Sequence, residues 1–295
     1  MGFRAVAVVL LAGLLAGCGE GQAPVPGPDA VGAPCMDLAV GGFPVFRGRP
    51  QASKDEARDV PQLGFACRPG HYAVAVDPTT HSAAWVIESV RPVNWSGSPA
   101  RQWNDVRPDP QMFGVYRVPE TVFASMGGLS IAQFAGKDNV RSQEEMLGRT
   151  FYTSNMVPVA QGFNDAWGAT SELIRKWAGT MPGAPIVVIS GTIYTGSPDA
   201  YRWHGAAPET ERSRAESTPH DGQIAIPDYL YRVILKPDTG KMFAFVLPNK
   251  PLSRSALGQQ IVSVSDLEKM TGFTFFPLLP EEKAALYKSN RQPFQ

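Results

Sequence analysis

Histidine is scarce in this chain. Its 295 residues hold four, His71, His81, His204 and His220, so imidazole chemistry can be built at few places. An excess of either charge is absent too: 27 Lys and Arg balance 27 Asp and Glu. No global basic field advertises nucleic acid, and any such binding needs a local patch. Cysteine is limited to Cys18, Cys35 and Cys67, and no neighbouring Cys/His pair completes a zinc cluster. The leading apolar run, residues 5–15, is too short for a stop-transfer helix. No internal repeat is visible. What is present is core material: 43% hydrophobic and 10% aromatic residues, in a length that suits one large domain or two small ones.

The first segment reads as targeting rather than fold. MGFRAVAVVLLAGLLAGC has Arg4, an apolar run and small residues before Cys18, the pattern of a secretory signal. Leu15-Ala16-Gly17-Cys18 resembles the bacterial lipobox, which implies a signal peptide at 1–17 and a lipid on Cys18. The other reading is an ordinary signal peptide with an incidental cysteine. Gly19 follows rather than Asp, so inner-membrane retention is not indicated. The expected location is the cell envelope, anchored to the outer membrane and facing the periplasm or the surface. Residues 18–34 form the lipidated end and a Gly/Pro-rich tether, and the domain occupies 35–295. In an exported chain Cys35 and Cys67 favour a disulfide over two free thiols.

The body reads as α+β. HYAVAV (71–76) and SAAWVIESV (82–90) are strand-like around the turn DPTTH, and APIVVISGTIY (184–194) is a β-branched run suited to a central strand. DYLYRVILKP and KMFAFVLPN flank PDTG as a hairpin, and IVSVS (261–265) alternates. Helices are expected at 142–147, 164–178, 263–272 and 280–289. In the second, Trp167, Ser171, Ile174 and Ala178 share one face. Residues 202–222 are polar and aperiodic and read as a long loop. The whole suggests a central, mainly antiparallel sheet flanked by helices.

One stretch carries more. FYTSNMVPVAQGFNDAW (151–167) resembles the signature of the DNA/RNA non-specific endonucleases, the ββα-metal or His-Me finger nucleases: an aromatic pair, a Ser-Asn, and an Asn-x-x-Trp that opens a long helix. GTIYTG (191–196), IAIPDYLYRVIL (224–235), FAFVLPN (243–249) and DLEKMTGFTFFPLLP (266–280) follow in the family's order. The resemblance implies metal-dependent phosphodiester hydrolysis of nucleic acid, with Mg²⁺, or Mn²⁺ in its place, held by one Asn and otherwise by water and phosphate. A hard cation that dehydrates reluctantly suits such a site. It implies Asn164 as the direct ligand and Glu172 as a carboxylate that orients metal-bound water. Eight residues of helix span about 12 Å, too far for both to touch one ion. Arg175 and Lys176 lie one turn past Glu172, where they can meet a phosphate, and Asn155 of the motif is a further candidate phosphate contact. The plainer alternatives are that Asn164 caps the helix and that Glu172 is solvated.

The same resemblance exposes a gap. The family's Asp-Arg-Gly-His supplies the general base, and an ungapped reading of ETVFASMGGLSIAQFAGKDNVRSQEEM (120–146) puts Leu129, Ser130, Ile131 and Ala132 in its place. Ala132 cannot move a proton, and Ser130 cannot replace a guanidinium. The expected Pro-Gln is Pro158-Val159. Two functions compete: a nuclease-fold protein with impaired catalysis that binds weak metal, nucleic acid or an envelope protein partner, and an active exported endonuclease with a non-standard base from His204 or His220.

Overall fold

A computed structural model of the protein describes residues 35, 38, 41–47, 62–92, 95, 105–181, 183–206 and 220–293. The signal peptide, Cys18 and the tether lie outside the described residues. In chain order the strands are β1 (Val45–Phe46), β2 (Gly64–Arg68), β3 (Tyr72–Asp77), β4 (Ser82–Val90), β5 (Leu129–Gln133) and β6 (Met156–Ala160). They continue with β7 (Ile186–Ile193), β8 (Arg202–His204), β9 (Ile224–Ile226), β10 (Tyr229–Lys236), β11 (Lys241–Pro248), β12 (Ile261–Val262) and β13 (Phe273–Thr274). The helices are α1 (Thr121–Ala124), α2 (Glu144–Arg149), α3 (Asn164–Thr180), α4 (Val264–Thr271) and α5 (Glu281–Lys288).

A seven-stranded sheet in the order β12-β11-β10-β7-β4-β3-β2 organises the molecule, and its pairs are antiparallel. The inner strands look apolar throughout because both faces are covered. Along β11, Phe243, Phe245 and Leu247 enter one core while Met242, Ala244 and Val246 enter the other, the period-two alternation of a strand. The first core lies under α3 and the β5–β6 hairpin. The second lies under α4 and the Phe273, Phe275 and Phe276 cluster.

Cys35 and Cys67 form a disulfide, with Cα atoms 6.3 Å apart and a sequence separation of 32. It ties the entry of the domain to β2. In the chain-entropy account a loop of that size stabilises by about 3–4 kcal/mol.

The hairpin β10–β11, strands β3, β4 and β7, and helices α2 to α5 fall where the sequence pattern puts them. Ser263 accepts from the Asp266 amide at the start of α4 and Gly272, at φ 76°, ends it, a left-handed position open to glycine. Three expectations change. Residues 202–204 are not loop but β8, paired with β9; residues 207–219 lie outside the described set. The alternating IVSVS supplies only the two residues of β12, because Ser263 caps α4. In α3 the buried face includes Ala166, Ala169, Thr170 and Trp177, and Ser171 is half-buried at its edge.

Candidate metal and phosphate site

The β5–β6 hairpin and α3 build the place that the motif points to. β5 pairs with β6 so that Ile131 faces Pro158 and Ala132 faces Val157. Pro158 lacks an N–H, and a strand tolerates it where no ladder bond is required. The other edge of β5 is closed by α3: Asn164 Nδ2 donates to the Ile131 carbonyl at 2.9 Å and Trp167 Nε1 donates to the Gln133 carbonyl at 2.8 Å. Two edge carbonyls, which need partners, thus fix the start of the helix against the strand.

Asn164 is the first residue of α3, not its cap. The cap position is Phe163, which makes no side-chain bond. With Nδ2 engaged, Asn164 Oδ1 is a neutral oxygen at an exposed position, a donor of the hard type that Mg²⁺ prefers. Glu172 is exposed and forms an ion pair with Arg254 at 2.8 Å. The Arg254 amide also donates to Asp165 at 3.1 Å, so the turn at Arg254–Gln260 docks on α3 through the helix's acids. No cluster of three or more His, Cys, Asp or Glu residues suited to a metal occurs among the described residues. The donor set fits one weak direct contact, at Asn164, and no more.

Ala132 does not face this site. It is 1% exposed and belongs to the core, whereas Ile131 and Gln133, its neighbours on the strand, are half-buried. Nor do the histidines converge on Asn164. His71 and His81 are both buried. Burial, with Arg149 and Arg68 adding, pulls the His71 pKa down to about 3, so its ring is neutral near pH 7. His81 Nδ1 meets the Gln223 carbonyl at 2.8 Å. His204 Nε2 donates to the Val122 carbonyl at 2.9 Å. His220 stacks on Trp203, ring centroids 3.7 Å apart.

Asn155 needs correcting as a phosphate contact. It is fully buried. Its Oδ1 accepts from the Ala135 amide, and its Nδ2 donates to the carbonyls of Ala135 and Thr150. A buried amide so satisfied clamps the ends of the hairpin and is closed to substrate. Arg175 and Lys176 fare differently. They line a cavity of about 450 Å³ with Arg141, Asp138, Trp95 and Thr180. Asp138 is already paired with Arg141 at 2.8 Å and with Lys137 at 3.2 Å, and these cations hold its carboxyl below the usual range against the opposing effect of desolvation. Trp95 packs on Gly179, where a Cβ would meet the ring at 3.2 Å. Arg141 and Trp95 carry no motif of their own, and only tertiary packing brings them here.

Beneath α3 lies a polar network that the sequence reading missed. Arg232, at the middle of β10, is 2% exposed. Its Nη1 donates to Thr170 Oγ1 and Ser171 Oγ, each at 2.6 Å, and the guanidinium lies 3.7 Å from the Trp167 ring centroid. Burial lowers its pKa to about 9, with Glu88 opposing and Arg175 adding, so it stays charged near neutrality. Glu88 on β4 accepts from Asn139 Nδ2 at 2.9 Å. Desolvation nonetheless raises its pKa. A charge within a mostly apolar strand, Arg232 in YLYRVILK and Glu88 in SAAWVIESV, was the available signal.

Comparison with known proteins agrees with the motif. The model of the family described as DNA/RNA non-specific endonuclease matches residues 59–282. Mitochondrial nuclease EXOG of Xenopus laevis is 29% identical over 223 residues, covering 72% of this chain and 58% of its own length. Mouse mitochondrial EXOG is 26% identical over 255 residues, covering 80% and 64%. The chain thus spans about three fifths of these relatives. Human mitochondrial endonuclease G is 23% identical over 215 residues, covering 70% and 67%. A crystal structure of an EndoG/EndoGI complex superposes with a TM-score of 0.64 at 21% identity. That match covers 86% of this chain and 96% of the other, a likeness of fold.

Proposed function

The chain belongs to the DNA/RNA non-specific endonuclease family, and on that premise we propose that it is a catalytically impaired member that binds nucleic-acid phosphate and holds a divalent cation weakly. The observation that carries this is the β5 strand. The side chains of residues 129–132 are Leu, Ser, Ile and Ala, and the histidines are held elsewhere by the contacts described above. A bound Mg²⁺ or Mn²⁺ would stabilise charge on the phosphate and the leaving oxygen. Asn164 Oδ1 would hold it. Arg254 pairs with the carboxylate that would orient its water and adds a positive charge nearby, which favours weak binding. Arg141, Arg175 and Lys176 supply cations for the backbone.

Mn²⁺ relaxation should show weak binding that Asn164→Ala abolishes. Replacing both Arg175 and Lys176 with Gln should weaken DNA and RNA binding about tenfold and lower the salt slope by about 2. Identical binding in gel shifts by the wild type and this double variant would remove nucleic acid as the partner. The second reading, an active endonuclease with a non-standard base, is favoured by no contact among the described residues. An envelope protein partner has one motivation, that a structural relative is a nuclease solved in complex with another protein.

The lipobox at Leu15-Ala16-Gly17-Cys18 supports a lipid-anchored envelope location. Stable anchoring takes more than one acyl chain, as lipoprotein processing provides. Cys18→Ala should move the protein from the membrane fraction to the soluble fraction or leave the precursor uncleaved. A wild-type protein that is soluble, with an unmodified mature N-terminus, would rule the anchor out.

A further inference from the structure

A second basic cavity lies at the far end of the β5–β6 hairpin from Asn164. Its volume is about 230 Å³, and its walls are Arg68, Arg107, Gln111, Glu145, Arg149 and Tyr152. Tyr152 precedes β6 and Asn164 follows it. The five residues of that strand are about 16 Å long.

We infer that this cavity is a binding site for a phosphate group, independent of the metal contact. Three guanidinium groups from three parts of the chain converge on it. Arg68 comes from the end of β2, Arg107 from the segment that bridges to Tyr152, and Arg149 from the end of α2. Their opposing charge is small. Asp109 is buried and committed: it pairs with Arg68, accepts from the Gln111 amide at 2.9 Å and accepts from Ser154 Oγ at 2.5 Å. Glu145 pairs with Arg149 from a side chain that is 80% exposed, where such pairs contribute little. Three cations against these two acids leave one positive charge in excess.

The cluster is preformed. Arg68 also donates to Gln111 Oε1 and to the Cys67 carbonyl, and the Cys67 amide donates to Gln111 Oε1 at 3.0 Å, so the disulfide-linked strand holds this wall. The Arg107 Nη2 donates to the Gly148 carbonyl at 2.9 Å. Both Arg68 and Arg107 lie about 5 Å from the Tyr152 ring, at 5.0 and 4.9 Å to its centroid. Beside the arginines His71 is 3% exposed, and neither of its ring nitrogens has a partner. Guanidinium forks approaching from several directions match the several oxygens of a tetrahedral phosphate better than the two of a planar carboxylate.

The test is calorimetry with inorganic phosphate at constant ionic strength, in EDTA to remove divalent ions. Wild type should bind with a Kd in the millimolar range or tighter. Arg149→Gln should weaken binding at least tenfold, and Arg149→Lys should restore only part of it, because the fork is lost. In the variant with both Arg175 and Lys176 changed to Gln, which removes two cations of the first cavity, Arg149→Gln should weaken the remaining phosphate binding by the same factor. Arg149 is partly exposed, so a folded variant is expected, and circular dichroism checks it. A 5′-phosphorylated oligonucleotide that competes when its 5′-hydroxyl form does not would make a nucleic-acid end the source of the phosphate. Competition by neither form would make a free phosphate compound the source. No phosphate binding, or binding unaffected by Arg149→Gln, overturns the site. The outcome is separate from the nuclease reading, which uses Asn164, Arg175 and Lys176.

Discussion

Arg232→Met is expected to destabilise the protein by about 3 kcal/mol, read as a lower urea midpoint at unchanged slope. Methionine can fill much of the space, so the loss is electrostatic. Two short bonds to Thr170 and Ser171 disappear, and so does the cation over the Trp167 ring. Charge is lost from a region where Glu88 is also buried. Glu88→Gln should cost less than Arg232→Met. Burial works against the ionised Glu88 carboxyl, and Gln keeps an acceptor for Asn139. Each of the two groups favours the charged form of the other, so the double variant should lose less than the sum of the two single losses, a coupling read in a double-mutant cycle. An Arg232→Met variant within 0.5 kcal/mol of wild type would show that the network does not hold α3 on the sheet. The consequence reaches function, because the same helix positions Asn164 against Ile131.

What the sequence discloses follows from how far each signal depends on tertiary contact. β3, β4, β7, β10 and β11 are long, apolar and β-branched, and the period of α3 is equally plain. Each element carries its own evidence. β5 and β6 do not. They have five residues each, one contains Pro158, and their pairing is closed by contacts from α3. β8 was hidden because RWH sits at the edge of a polar stretch and becomes a strand only by pairing with residues 224–226. For the site, the motif located Asn164, Arg175 and Lys176 on α3, but a Ser-Asn pair does not reveal whether its amide faces substrate or the core. Asn155 faces the core. Cavity partners distant in sequence, such as Arg141 and Trp95 or Arg68 and Arg149, leave no local pattern at all.

Hydrolysis of DNA or RNA by the wild type is expected to run two to four orders of magnitude below that of an intact family member, the usual worth of a general base, about 10²–10⁴. The measurement is cleavage of plasmid DNA and RNA with Mg²⁺ or Mn²⁺ across pH 6–9, with a mock purification as control. Robust cleavage that vanishes in Asn164→Ala but persists without change in the mock-subtracted wild type would defeat the impaired reading, and His204 and His220 would be the first residues to replace. Restoring the base at position 132 should fail. The Ala132 methyl is 1% exposed in the core, so an imidazole there overpacks by about 1–3 kcal/mol and cannot reach the attacking water. Writing Asp-Arg-Gly-His over residues 129–132 meets the same obstacle, because the register of β5 against β6 sets which face each side chain takes, and a slip of one residue would exchange the faces. Ile131 is half-buried and its carbonyl meets Asn164 itself, whereas the Gln133 side chain is turned to the Thr150 carbonyl. Ile131→His should thus recover more cleavage than Ala132→His, with a pH dependence near the imidazole's ordinary value of about 6.5. Recovery by Ala132→His and none by Ile131→His would mean that the strand in solution presents the opposite face to the metal contact.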